Sequence, residues 1–153
     1  MSVQTSYTTS YSAAYAGMIA DLQPHDIVSK VCETSAGIAF GVVVSPGTSD
    51  NEAIIGGDAT GIGITVRDLA REGAASTAAT AYARYETMGV MRKGYMWVVI
   101  ANTGTPGQNL FYIDATGLIS QGTASTGETQ LTGCTLESTV STNGDLGLIR
   151  VDL

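Results

Sequence analysis

Charge is scarce in this chain. Asp, Glu, Lys and Arg make up 14% of its 153 residues, against about 25% in an ordinary globular protein. Acidic residues outnumber basic ones by 14 to 7, which leaves a net charge of −7 at pH 7. A protein that tracks phosphates needs clustered Lys and Arg to displace counterions, so nucleic acid is excluded as a partner class. Cysteine is limited to Cys32 and Cys134. With no CxxC and no Cys/His cluster beside them, they read as buried thiols behaving as small hydrophobes. Histidine occurs once, as His25 between Pro24 and Asp26, where a zinc site would need three or four ligands. We read it as an exposed linker residue.

The marks of catalysis are missing too. There is no Gly-x-Ser-x-Gly elbow for a nucleophile. The glycine-rich stretch 56–63 lacks the Walker lysine, and neither it nor 122–127 reads as a strand-to-helix phosphate loop. The carboxylates are dispersed, and no two stand out as an acid/base pair of the glycosidase kind. The expectation is a non-enzymatic protein with no cofactor and no metal. No apolar run approaches the roughly 20 residues of a membrane span. The first twenty residues also lack the basic start and leucine-rich middle of a secretion signal. We therefore expect a soluble protein, made in the cytoplasm, with no membrane partner.

What the chain does contain is short apolar runs separated by small residues, 19 of them glycine. The densest run is 94–101, Gly-Tyr-Met-Trp-Val-Val-Ile-Ala, home of the single tryptophan. Side chains alternate along a strand, so one face would carry Tyr95, Trp97 and Val99 and the other Met96, Val98 and Ile100. With both faces apolar, this strand is expected at the centre of the core and covered on both sides. Further strands are expected at 27–32, 38–44, 53–55, 62–69, 110–113, 131–136 and 146–151, and the central one is expected over 90–101 with a turn at Lys93-Gly94. Between them stand the turn signals Pro46-Gly47, Gly56-Gly57-Asp58, Thr105-Pro106-Gly107 and Asn143-Gly144-Asp145, the last consistent with a tight hairpin. Many short strands at this spacing indicate a small β-barrel or sandwich. The length fits one domain that buries about two-thirds of its unfolded surface.

Two stretches differ from that rhythm. Residues 1–25 carry no charged side chain before Asp21, and Tyr7, Tyr11 and Tyr15 recur every four residues. We read an extended N-terminal arm ahead of a β-rich domain at 26–153. Its tyrosines either pack back on that domain or dock on a partner, since amphipathic aromatics are enriched at interfaces. The second stretch, 69–86, is alanine-rich and reads as a long loop or a short helix. Arg67, Arg71, Arg84, Arg92 and Lys93, five of the seven basic residues, fall in and around it. They form either a solvated face or a docking patch for an acidic surface. Asp-Ala-Thr-Gly occurs at 58–61 and again at 114–117, which a shared β-turn preference explains without duplication.

Three segments resemble the head-decoration, or structural cement, proteins of tailed bacteriophages. They are Tyr-Ser-Ala-Ala-Tyr-Ala-Gly-Met-Ile-Ala-Asp at 11–21, Val-Met-Arg-Lys-Gly-Tyr-Met-Trp-Val at 90–98, and Gly-Asp-Leu-Gly-Leu-Ile-Arg-Val-Asp at 144–152. The resemblance implies a virion protein on the outer surface of the capsid, a homotrimer that binds the major capsid protein and stabilises contacts between its copies. Candidate partner contacts are Tyr7, Tyr11, Tyr15 and Met18 in the arm, and Arg71, Tyr82, Arg84 and Tyr85 in the middle segment. The resemblance assigns no role to the basic patch. Two other classes fit the residues alone: a β-sandwich module that binds a carbohydrate or receptor, and a tail-tube or fibre component of a virion.

Overall fold

A computed structural model describes residues 14–57, 60–71, 80–123 and 125–153 of the chain. The short β-branched runs become strands: β1 (Met18–Ile19), β2 (Asp26–Cys32), β3 (Ile38–Ala39), β4 (Val43–Pro46), β5 (Glu52–Ile55), β6 (Gly63–Thr65), β7 (Ala81–Tyr82), β8 (Thr87–Val99), β9 (Asn109–Ile113), β10 (Ile119–Gln121), β11 (Glu128–Leu136) and β12 (Leu146–Asp152). The fold is mainly β, and a 3-10 turn at Leu69–Arg71 is the one helical element among the described residues. Of the alanine-rich stretch, 72–79 lies outside the described residues. No helix among the described residues is long and apolar enough to cross a membrane.

Strand β8 organises the rest. Its first half pairs with β2 on one side and with β6 on the other. Strand β2 continues to β5, β5 to β4 and β4 to β6, so these strands and β8 close as a five-stranded barrel. The second half of β8 pairs along the whole of β12, from Leu146↔Val99 to Asp152↔Lys93. The order then runs through β11, β9 and β10, and a bridge between Ile100 and Ile119 brings β10 back to the end of β8. The barrel expectation is met, with the extra strands curled against it.

The two halves of β8 meet at a β-bulge. Asp26 pairs with Lys93 and Ile27 with Met91, which leaves Arg92 as the extra residue. An inserted residue switches which side chains face inward. Accordingly Met88 and Val90 are buried in one apolar cluster, with Cys32, Val44 and Ala53. Met91, Met96, Val98 and Ile100 are buried in another, with Tyr112, Ile119 and Ile149. The turn expected at Lys93-Gly94 is thus corrected: the chain bends there without reversing, because β2 and β12 pair across the site. Gly94 (φ 136°) suits the bend, since a Cβ on it would lie 2.9 Å from that of His25.

Coverage of the central run is uneven. Met96, Val98 and Ile100 are fully buried, whereas Tyr95, Trp97 and Val99 on the other face are half-buried. The turn at Asn143-Gly144 is present, with the Asp145 N–H donating to Thr142 O, but it lies within the longer 137–145 connection between β11 and β12.

Residues 14–20 are joined to the sheet. Met18 and Ile19 pair with Trp97 and Met96, and the Gly17 N–H donates to Trp97 O at 2.8 Å. On the other side Gly17 O accepts from the Arg67 N–H at 2.7 Å. Gly17 (φ 78°) and Gly41 (φ 73°) lie backbone to backbone, and a Cβ on Gly17 would come within 2.9 Å of both the Gly41 and Arg67 nitrogens. Ala14 is buried and Ile19 packs on the larger cluster.

Both cysteines are free and buried, one in each cluster. Burial pushes the Cys134 thiol up to about 11 and raises the Cys32 thiol as well.

Two outcomes are expected. Gly17→Ala meets backbone atoms at a left-handed φ, and should cost about 2–4 kcal/mol, a fall in Tm of roughly 5–15 °C by calorimetry. The thiols should react with a disulfide reagent at pH 8 only on unfolding. As pH rises the unfolded chain loses its thiol proton first. Stability present below pH 9 should therefore decline towards pH 11, by about 2–3 kcal/mol at most for Cys134. Fast thiol labelling in the folded state would contradict this.

Candidate functional site

The most exposed aromatic chemistry sits on a turn just before β8. Turn residues 83–86 are held at several points: the Glu86 N–H donates to Ala83 O at 3.1 Å, and a Glu86 carboxylate oxygen accepts from the Ala83 N–H at 2.6 Å. The Tyr85 N–H donates to Cys32 O at 2.7 Å, and the Cys32 N–H to Glu86 O at 2.9 Å. Tyr85 has φ 67°, the one non-glycine residue with positive φ among those described. A left-handed conformation costs an ordinary L-residue about 1–2 kcal/mol. The surrounding bonds impose it. Tyr85 is 66% exposed, and the Arg84 guanidinium lies 4.6 Å from its ring centre. A cation stacked on a ring keeps its edge N–H groups available to a carboxylate. The turn therefore presents a fixed aromatic and cationic pair to whatever approaches.

The other candidates separate into different roles. Tyr82 is buried at 4%, meets Phe40 edge-on at 5.1 Å between ring centres, and donates its hydroxyl proton to Val66 O at 2.7 Å. It is a core side chain. Tyr15 is 49% exposed, with the Arg67 guanidinium 4.9 Å from its ring centre and 5.4 Å from that of Phe40. The row Tyr15, Arg67, Phe40, Tyr82 thus ties the start of the described chain to the barrel. Met18 is half-buried opposite Trp97, which Leu148 flanks from β12. Tyr7 and Tyr11 lie outside the described residues, as does the side chain of Arg71.

The basic residues are divided among these places. Arg67 is spent on ring stacking and Arg84 on the turn. Arg92 and Lys93 stand at the bulge, where Lys93 pairs with Asp152 at 3.5 Å. Sequence reasoning missed the bracing role of Arg67 and Phe40, since nothing local links residue 15 to residues 40 and 67. Among the described residues no group of three or more His, Cys, Asp or Glu is placed to hold a metal ion. His25 is exposed, its Nδ1 3.0 Å from Gln23 O. Glu33, at the end of β2, accepts from the Thr48 hydroxyl and N–H, and these bonds hold its carboxyl below the usual range.

A family model described as structural cement protein (E217 gp24/Pam3 gp6) matches residues 3–152. Among solved structures, a chain from "The capsid of Myoviridae Phage XM1" is similar, with a TM-score of 0.76 and 17% identity over 99% of this chain and 98% of that one. At that identity the likeness establishes the fold. No curated protein matches.

Proposed function

This chain belongs to the structural cement protein family, and from that premise we propose that it decorates the outer surface of a phage head. It binds the major capsid protein as a homotrimer and braces adjoining copies. It is made in the host cytoplasm, and neither nucleic acid nor a membrane is its partner. The observation that carries the docking surface is the Arg84–Tyr85 turn, where an exposed ring is held at φ 67° by four hydrogen bonds in the surrounding main chain and Glu86. Strain maintained at an exposed position is a mark of a functional contact. Pre-ordering also lowers the entropy lost on binding.

The mechanism follows from mass action. A protein with affinity for the expanded lattice, and none for its precursor, shifts the equilibrium towards the expanded state. Contacts of modest strength suffice when they recur over a lattice. The arm of residues 1–25 adds Tyr7, Tyr11, Tyr15 and Met18 to the contact, with 14–20 as its root on the body. Arg71 is a further proposed contact. Tyr82 serves it indirectly, by fixing the barrel behind the turn.

Substitution of the strained residue separates binding from folding. Tyr85→Gly removes the ring and relieves the left-handed strain. The free chain should melt at the same temperature as the parent or slightly higher. Its affinity for purified heads lacking this protein should fall at least tenfold, and those heads should gain less heat resistance on adding it. Unchanged affinity would remove the turn from the interface.

A further inference from the structure

Strand β2 is paired on both sides over only part of its length. Along one side it meets β8 from Asp26 to Val31, while on the other β5 meets it only at Val31 and Cys32. Hydrogen bonds fix which way its main-chain groups point. The Cys32 N–H donates to Glu86 O on the β8 side, and the Val31 N–H donates to Asn51 O, at 2.8 Å, on the β5 side. Alternation in an antiparallel ladder then directs the N–H and C=O of Ser29 and Ile27 to the β5 side as well. The partner of Ser29 obeys the same alternation: Gly89 O turns away from β2 and accepts from the Val66 N–H at 2.9 Å. Ser29 and Ile27 are exposed, and among the described residues no strand lies beside them on that side. An open edge of this kind is a template for another strand.

A groove of about 640 Å³ adjoins β2 at Val28, Ser29 and Lys30, within the roughly 300–1,000 Å³ typical of ligand sites. Its apolar floor includes Val28 and Ile62, both packed on the smaller core cluster, and the 46–50 loop forms one wall. Lys30 and Arg92 stand at its rim. The Lys30 ammonium donates to the neutral carbonyl of Asp50 at 2.6 Å, and Arg92 has no ion-pair partner among the described residues. The Asp50 carboxylate is the acidic side chain on that rim. Two cations at the edge of an acidic protein favour an acidic occupant. Residues 1–13 of the chain contain no carboxylate, which disfavours its own N-terminal segment.

We propose that this groove takes an extended, acidic segment of the capsid protein as an added strand, hydrogen-bonded to the main chain of Ile27 and Ser29. This rests on the cement function above and names a second contact on the same partner. Main-chain bonds supply affinity in such strand addition, and the alternate side chains of the segment meet the floor and the cations.

Amide exchange of the full chain, read by mass spectrometry free and bound to purified heads lacking it, tests the inference. Exchange at Ile27 and Ser29 should be fast in the free chain and at least tenfold slower on heads. Arg92→Glu should weaken head binding about three- to tenfold without changing the melting temperature. Saturation of the heads with no slowing at these amides would overturn the added strand and leave the cement function standing. Slow exchange in the free chain that is lost in a chain starting at residue 14 would assign the groove to the protein's own N-terminal segment, overturning the proposal. Failure of the parent chain to bind heads at all would overturn both.

Discussion

The structure depends on one strand serving two cores. Strand β8 closes the barrel through Met88 and Val90 and fills the larger cluster through Met91, Met96 and Val98, with Ile100 just beyond its end. The bulge at Arg92 allows both, because the extra residue reverses the inward face halfway along. A one-residue slip on either side would turn that half's apolar set outward. Register in the barrel and register against β12 are therefore fixed together. Each large side chain buried along β8 is worth about 1.5–3 kcal/mol, so no competing register retains both cores. The consequence is a body whose halves do not slide past one another, suited to transmitting load between neighbours.

Most of the large apolar side chains are drawn into two interiors, and several of the charged and aromatic groups are engaged by the body. Arg67 is engaged between two rings, Lys93 pairs with Asp152, and Tyr82 is enclosed. Among the features that stay outward are the Arg84–Tyr85 turn, the half-exposed Tyr15, and the edge of β2 that is unpaired among the described residues. These features share a trait: their geometry is set by the body behind them. Binding to a repeating lattice favours that arrangement, since each contact then costs little ordering entropy and repetition supplies the rest.

Much of the fold was legible in the sequence, for identifiable reasons. The runs at 53–55, 110–113, 131–136 and 146–151 became β5, β9, β11 and β12 because β-branched and aromatic density marks strands wherever packing agrees. Lys93-Gly94 misled because a bulge and a turn use the same residues; what distinguishes them is whether strands pair across the site, which is a long-range fact. The run 38–44 divides into β3 and β4 because Gly41 must meet Gly17, far away in sequence. The contact surface was harder to read. Arg84 and Tyr85 were legible as candidate contacts, but the left-handed φ of Tyr85 follows from Cys32 and Glu86 and leaves no trace in a turn that lacks Gly, Asn or Asp. Tyr82, two residues from Arg84, was indistinguishable from a surface tyrosine until Phe40 was placed against it.

The central claim is that this protein reinforces a whole lattice. The most direct test is the number of copies of this chain per major capsid protein in purified virus particles, by quantitative mass spectrometry. A lattice-wide cement predicts near-equal amounts of the two. A few copies per particle would contradict it and place the chain at a tail or a unique vertex.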